Sequence, residues 1–383
     1  MIRAIYIHIP FCRRICPFCA FAVRKDRAGL HQQYLKLLLK ELRRRAEQFS
    51  QEFAPLESIY IGGGTPSSLT LEEVGFLING VKSQLDCSKS VEISFEINPE
   101  DATRDYLQGL ANIGINRLSM GIQSFQESSL ETLQRSHSVE HDIKAIDSLK
   151  SSAIANFNLD LMFGIPGQNF AAFQNDLLEF LKHDPSHLSL YALDIEPNTP
   201  FAHQAKMVSW VEEQKELTQQ MYLWAIECLH ADGIEQYEVS NFSKPGLASR
   251  SNLAVWSGAP YLGFGIGAHS YCRGQRWGNF RSLRTYHSAL EKQEWPQAFQ
   301  EKLTTTQQAN EKLMLGLRQN SGFSVTSWPE EFDINWPQKN MDLLEQFSQK
   351  HYVNWNPPVL SLPPLGMLLA DEITAQLMLD ECS

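Results

Sequence analysis

An α/β fold is predicted for this chain, a partial TIM-type (β/α)6 barrel with a small, mainly helical C-terminal domain. Three observations predict it. Short β-branched runs alternate with amphipathic stretches between residues 3 and 194. The words richest in Cys, Gly and carboxylates fall directly after those runs, where parallel βα units gather their chemistry. After about residue 240 the alternation gives way to Gly, aromatic and then Pro/Trp-rich sequence.

The elements follow in order. Strands are expected near 3–9 (RAIYIHI), 57–61 (ESIYI), 91–97 (VEISFEI), 116–122 (NRLSMGI), 156–163 (NFNLDLMF) and 187–194 (HLSLYALD). Residues 30–48 read as a helix, with Leu35, Leu38, Leu39 and Leu42 on one face. Lys36, Lys40, Arg43, Arg44 and Arg45 lie opposite, as a solvated face or a dock for an acidic partner. In TLEE, Thr70 and Glu73 read as a capping box. Strands alternating with helices imply parallel units wound right-handed. The expected units are a barrel over 1–240, a Gly/aromatic segment completing it over 241–299, and a C-terminal domain over 300–383.

Composition narrows the function. The 383 residues are 43% hydrophobic and 20% charged, with net charge −11. That charge argues against nucleic acid as the partner. No apolar run reaches the roughly 18 residues a membrane span needs. MIRAIYIHIPF lacks the apolar region and cleavage site of a secretory signal. Seven cysteines, four of them scattered, fit a reducing cytoplasm, where clustered thiolates indicate metal.

Cys12, Cys16 and Cys19 follow the first strand with C-x3-C-x2-C spacing. A structural zinc site wants four ligands, usually in two pairs, and no second pair is near. Three thiolates on three irons of a [4Fe–4S] cube leave the fourth iron open. The alternatives are a zinc knuckle completed by a distant histidine, or unpaired buried thiols. Gly62, Gly63, Gly64 and Thr65 sit between a strand and a helix, where bare backbone N–H groups can approach a carboxylate. A tight turn without a ligand reads equally well. In the third strand Val91, Ile93, Phe95 and Ile97 share one face and Glu92, Ser94 and Glu96 the other, which points Glu96 into the barrel mouth.

Cys12, Cys16 and Cys19, with Phe18 before the last, resemble the signature of radical S-adenosylmethionine (SAM) proteins. YIHIPFC, GGGTPS, SFEINPE, SMGIQSF, LDLMFGIPGQ and GIGAHSY, in that order, are similar to the oxygen-independent coproporphyrinogen oxidase family. The resemblance implies a [4Fe–4S] cluster on the three cysteines, which reduces bound SAM to a 5′-deoxyadenosyl radical. It implies SAM contacts from Tyr6, Phe18, Gly63, Gly64, Thr65, Glu96, Gln123, Arg135, Asp160, Ala192 and His269.

Within that family the oxidase carries a fourth cysteine two residues after the third, and an N-terminal extension. Here the position is Phe21, and the chain starts almost at the first strand. Both features resemble the HemW branch of haem chaperones. The resemblance then implies haem as a further ligand, an apo-haemoprotein client, and a flavodoxin- or ferredoxin-type electron donor. That branch typically shows H-N-L-x-Y-W; this chain has SNLAVW, with Ser251 for histidine and Val255 for tyrosine. Serine is a poor haem ligand, so His8, His203, His269 and Cys272 are candidates instead. The alternative function is radical decarboxylation of coproporphyrinogen III. Its propionates would need cations, for which Arg3, Arg117, Arg250, Arg273, Arg276 and Arg281 are candidates.

Overall fold

In a computed structural model, which describes residues 1–27, 29–325, 327–332 and 336–379, the six expected strands lie side by side and parallel. They are β1 (Ile2–Ile9), β2 (Phe53–Gly63), β3 (Cys87–Ile97), β4 (Arg117–Gln123), β5 (Asn156–Phe163) and β6 (His187–Ala192). At the β6 edge, β7 (Glu235–Glu238) and β8 (Asn241–Ser243) add an antiparallel pair. On the other side β9 (Tyr261–Phe264) runs parallel to β1. A meander of β10 (His269–Cys272), β11 (Gln275–Asn279) and β12 (Gln297–Lys302) continues the same sheet. The sheet thus has twelve strands, with the six βα units at its centre.

Helices return the chain between the parallel strands: α1 (Leu30–Gln48), α2 (Leu71–Lys82), α3 (Arg104–Ile113), α4 (Glu127–Thr132), α5 (Val139–Lys150) and α6 (Phe170–Lys182). After β6 come α7 (Ala205–Glu213) and α8 (Lys215–Ala231), then α9 (Arg250–Trp256) and α10 (Leu283–Glu291). The capping box of α2 forms: the Glu73 N–H donates to Thr70 Oγ1 at 3.2 Å, and the Thr70 N–H to Glu73 Oε2 at 2.9 Å. The C-terminal residues add α11 (Thr305–Leu317), further helices of which Trp336–Gln349 is the longest, and a three-stranded antiparallel sheet over Phe323–Ser324, Asn354–Asn356 and Val359–Ser361.

The α1 stripe buries Leu35, Leu38 and Leu42, while Leu39 is partly buried. The basic face differs from expectation. Lys36 and Arg43 are exposed, but Arg45 is buried, its guanidinium 3.9 Å from the Trp295 ring centre and 4.8 Å from that of Trp277. Arg44 donates to the carbonyls of Gln293 and Glu294. Trp277 on β11 and residues Gln293–Trp295 after α10 therefore turn two of the five basic side chains into an anchor.

Glu41 is fully buried on the same helix. It accepts from the Tyr286 hydroxyl at 2.6 Å, Asn279 Nδ2 at 2.7 Å and the Gly265 N–H at 3.0 Å. Three donors from the β9–α10 region thus tie α1 to the segment that continues the sheet beyond β1.

Candidate functional site

A cavity of about 340 Å³ opens at the C-terminal ends of the parallel strands. The loop after β1 brings Cys12, Cys16, Phe18 and Cys19 to it. That loop is pinned at both ends. Phe11–Cys12 pairs with Arg24–Lys25, and the Arg24 N–H donates to the Pro10 carbonyl at 2.7 Å. Its middle is held by the Phe201 N–H on the Pro17 carbonyl at 3.1 Å.

Gly63, Gly64 and Thr65 form the adjacent wall. Their small size is needed by protein as well as by any ligand. A Cβ on Gly64 would lie 2.7 Å from the Pro10 carbonyl carbon and 3.0 Å from Cys12 Sγ. Gly63 has φ +117°, a conformation that disfavours other residues, and a side chain there would run into the His8 ring. The Thr65 hydroxyl points its proton at Cys12 Sγ, 3.6 Å away.

On β3 the alternation holds. Ile93, Phe95 and Ile97 enter the core, and Glu96 faces the cavity. Its Oε1 accepts from the Tyr60 hydroxyl and Oε2 from the Gly63 N–H, both at 2.9 Å. Burial, with Asp160 next in importance, pushes the Glu96 carboxyl up to about 7. Asp160 on β5 accepts from Asn158 Nδ2 at 2.6 Å and from the Ser119 hydroxyl at 3.3 Å; burial raises it too. Gln123 ends β4 with φ +72°, beyond an irregularity that opens the ladder between Gly121 and Gln123. Arg135, just after α4, donates from Nη1 to Cys16 Sγ at 3.1 Å and from Nη2 to the Gly121 carbonyl at 3.1 Å.

The structure therefore brings eleven of the predicted residues to one cavity: the three cysteines with Phe18, Gly63, Gly64, Thr65, Glu96, Gln123, Arg135 and Asp160. Tyr6 and His269 line a second cavity of about 440 Å³, which shares Phe21 and Tyr60 with the first. Ala192 is exposed at the end of β6 and lines neither. Tyr60 was missed by sequence reasoning, although alternation along ESIYIGG puts it on the inward face with Ser58 and Gly62. The buried pair His137 and Asp142 behind Arg135 was also missed. No local spacing announces it.

The donor set fits an iron–sulfur centre. Cys12 and Cys19 are unpaired thiols held above their ordinary range, chiefly by burial, Cys12 at about 11. A desolvated thiolate needs a cation, and the nearby side-chain cations are Arg135 and, for Cys19, Arg281. A metal centre supplies that charge. Among the described residues, no three His, Cys, Asp or Glu side chains form the ligand set of a single ion.

Comparison with known proteins agrees. Residues 6–180 match the model of the radical SAM superfamily. A protein of Bacillus subtilis strain 168 described as "Heme chaperone HemW" is 32% identical over 372 residues, covering 97% of this chain and 98% of its own. The chain belongs to the HemW family of radical SAM proteins. A second HemW, from Lactococcus lactis, is 29% identical over 377 residues, covering 98% of this chain and 97% of its own. The crystal structure of the oxidase HemN from Escherichia coli superposes with TM-score 0.83 at 21% identity, covering 98% of this chain and 89% of the other. That likeness shows the fold: an α/β, parallel-rich barrel. The radical SAM superfamily implies a [4Fe–4S] cluster and SAM. Among the described residues no helix is long and apolar enough to cross a membrane.

Proposed function

We propose that this chain is a haem chaperone of the HemW type, which holds a [4Fe–4S] cluster on Cys12, Cys16 and Cys19 and binds SAM beside it. The observation that carries the reading is the convergence of three thiols, a glycine loop, the buried Glu96 carboxyl and the Arg135 guanidinium on one cavity. Phe21, 65% exposed where the oxidase has its fourth cysteine, supports the chaperone over the oxidase.

Each side chain has a task. Gly63, Gly64 and Thr65 would present backbone to the methionine end of SAM. Glu96, already fixed by Tyr60 and Gly63, would accept hydrogen bonds from its ammonium, which also offsets the cost of burying that carboxylate. Arg135 would face the negative charge of the thiolates and of the methionine carboxylate. When bound, the cluster supplies one-electron reduction. A flavodoxin- or ferredoxin-type protein would deliver the electron, and an apo-haemoprotein would receive the haem.

The test is anaerobic reconstitution followed by two assays. One measures haem binding and its transfer to an apo-haemoprotein. The other measures 5′-deoxyadenosine formed with and without coproporphyrinogen III. Haem transfer without porphyrinogen-stimulated turnover is expected. Stimulated turnover without haem retention would assign the chain to the oxidase instead.

A further inference from the structure

The sequence offers the basic face of α1 as a dock for an acidic partner, and the structure takes most of that face away. Arg44 and Arg45 are anchored on Trp277, Trp295 and the carbonyls of Gln293 and Glu294. Arg43 meets Glu47 at 3.4 Å and Lys40 meets Glu291 at 4.0 Å. Among the described residues, only Lys36 of that face has no ion pair or side-chain hydrogen bond.

The free cations lie on the loop that carries Cys12, Cys16 and Cys19. Residues 11–27 hold Arg13, Arg14, Arg24, Lys25 and Arg27 against one acid, Asp26, in a chain of net charge −11. All five cations are exposed. Arg13 pairs with Asp101, and Asp26 is taken up by His31, whose Nε2 lies 2.8 Å from its carboxylate. Among the described residues, Arg14, Arg24, Lys25 and Arg27 make no ion pair and no side-chain hydrogen bond. Ile15 and Phe21 of the same loop stand 44% and 65% exposed. Exposed apolar side chains rimmed by unpaired charges of one sign make an interaction surface.

We infer that this loop is the docking surface for an acidic, one-electron carrier protein, which reduces the cluster from there. The inference rests on the cluster assigned to the three cysteines and adds the place at which its electron arrives. Charge selects an acidic partner. The rest of the chain is net negative and repels one, so the loop steers it to a single orientation. Position selects a redox partner. Arg13 adjoins Cys12 and Ile15 adjoins Cys16, and Lys25 is the ladder neighbour of Cys12. The Asp26 N–H donates to the Cys12 carbonyl at 2.8 Å, and Arg14 and Ile15 line the cysteine cavity. A carrier seated on these side chains is therefore beside two of the sulfur ligands. One electron leaves the carrier's prosthetic group and enters the cluster; no bond forms or breaks in either protein. Such encounters need only a small contact, which a loop of this size provides.

The probe is a flavodoxin, an acidic FMN protein. Its affinity for the cluster-free full chain is measured at low and at physiological ionic strength. The double variant Lys25→Glu/Arg27→Glu, whose side chains do not line the cysteine cavity, should weaken binding by at least about tenfold and flatten its salt dependence. Lys36→Glu on α1 should leave the affinity unchanged. After reconstitution the double variant should hold its iron, bind SAM as wild type does and reach full reduction with dithionite. Reduced flavodoxin should reduce it about tenfold more slowly than wild type. If the double variant binds flavodoxin as wild type does, or if Lys36→Glu weakens binding instead, the assignment fails while the cluster reading stands. Vesicles of phosphatidylserine and phosphatidylcholine are titrated alongside. A wild-type chain that does not bind flavodoxin overturns the inference, and vesicle binding in its place would give the loop to an anionic membrane surface. A reconstituted wild-type chain without iron would instead remove the cluster reading, and the inference with it.

Discussion

Arg135 Nη1 lies 3.1 Å from Cys16 Sγ, and the same guanidinium donates from Nε to His137 Nε2 at 3.0 Å. His137 Nδ1 in turn lies 2.7 Å from Asp142 Oδ1, with both side chains fully buried. The arginine can only donate, so Nε2 accepts and the imidazole proton sits on Nδ1, facing the carboxyl. Burial holds His137 down at about 3 and Asp142 up at about 9. The buried imidazole therefore holds the guanidinium against Cys16, with the Asp142 carboxyl of α5 packed behind the ring.

His137→Ala should remove the acceptor of Arg135 and leave Asp142 buried without its partner. The expected cost is about 1–3 kcal/mol, read by urea unfolding of the cluster-free protein. In the reconstituted protein the cluster midpoint potential should move as well, because Arg135 is no longer held against Cys16. A variant that loses stability but keeps the potential would reduce the pair to a packing element.

Glu96 gives a pH dependence. Its carboxyl is raised from 4.5 to about 7 in the fold, so burial costs nothing below about pH 4.5. The cost grows between about 4.5 and 7 and is complete above 7. Glu96→Gln should therefore melt progressively higher than wild type as pH rises from 5 to 8, by at most about 3 kcal/mol, with one acceptor lost to Gly63 or Tyr60 partly offsetting the gain. The same variant should bind SAM more weakly. A melting difference independent of pH would show that Glu96 is ionised throughout.

Cys16→Ala should abolish the cluster yet leave the barrel folded, since Cys16 is only half-buried and belongs to no strand. Iron and acid-labile sulfide analysis beside circular dichroism checks it. Retained iron would displace Cys16 from the ligand set.

Gly64→Ala should reduce iron loading nearly as far while every thiol remains. Its new methyl meets the Pro10 backbone, which cannot yield without moving Cys12. Gly75→Ala, with open space around its Cβ, is the matched control and should load fully.

Glu41→Leu should cost about 3 kcal/mol or more, because the Gly265 N–H, Asn279 and Tyr286 all lose a buried acceptor. Chemical unfolding of the cluster-free protein measures it.

The local elements were legible from residue order. Strand and helix periods placed six βα units, Thr70 and Glu73 marked a cap, and alternation on β3 aimed Glu96 inward before any coordinates. These are short-range properties: a period of two or of 3.6 is set by backbone geometry, and a cap by a side chain three residues away. Likewise the trio Cys12, Cys16 and Cys19 declares its chemistry within one loop. What the tertiary structure decided were the partners. Glu41 and Asn279 are 238 residues apart, Arg135 and Cys16 119 apart. Amphipathicity says which face of α1 is inward but not that Tyr286 and Gly265 wait there for Glu41, nor that Trp277 and Trp295 cover Arg45, which reads as polar surface. Only the folded sheet, by setting β9 beside β1 and β10 beside β9, moved Tyr6 and His269 into a cavity of their own and left Ala192 outside both.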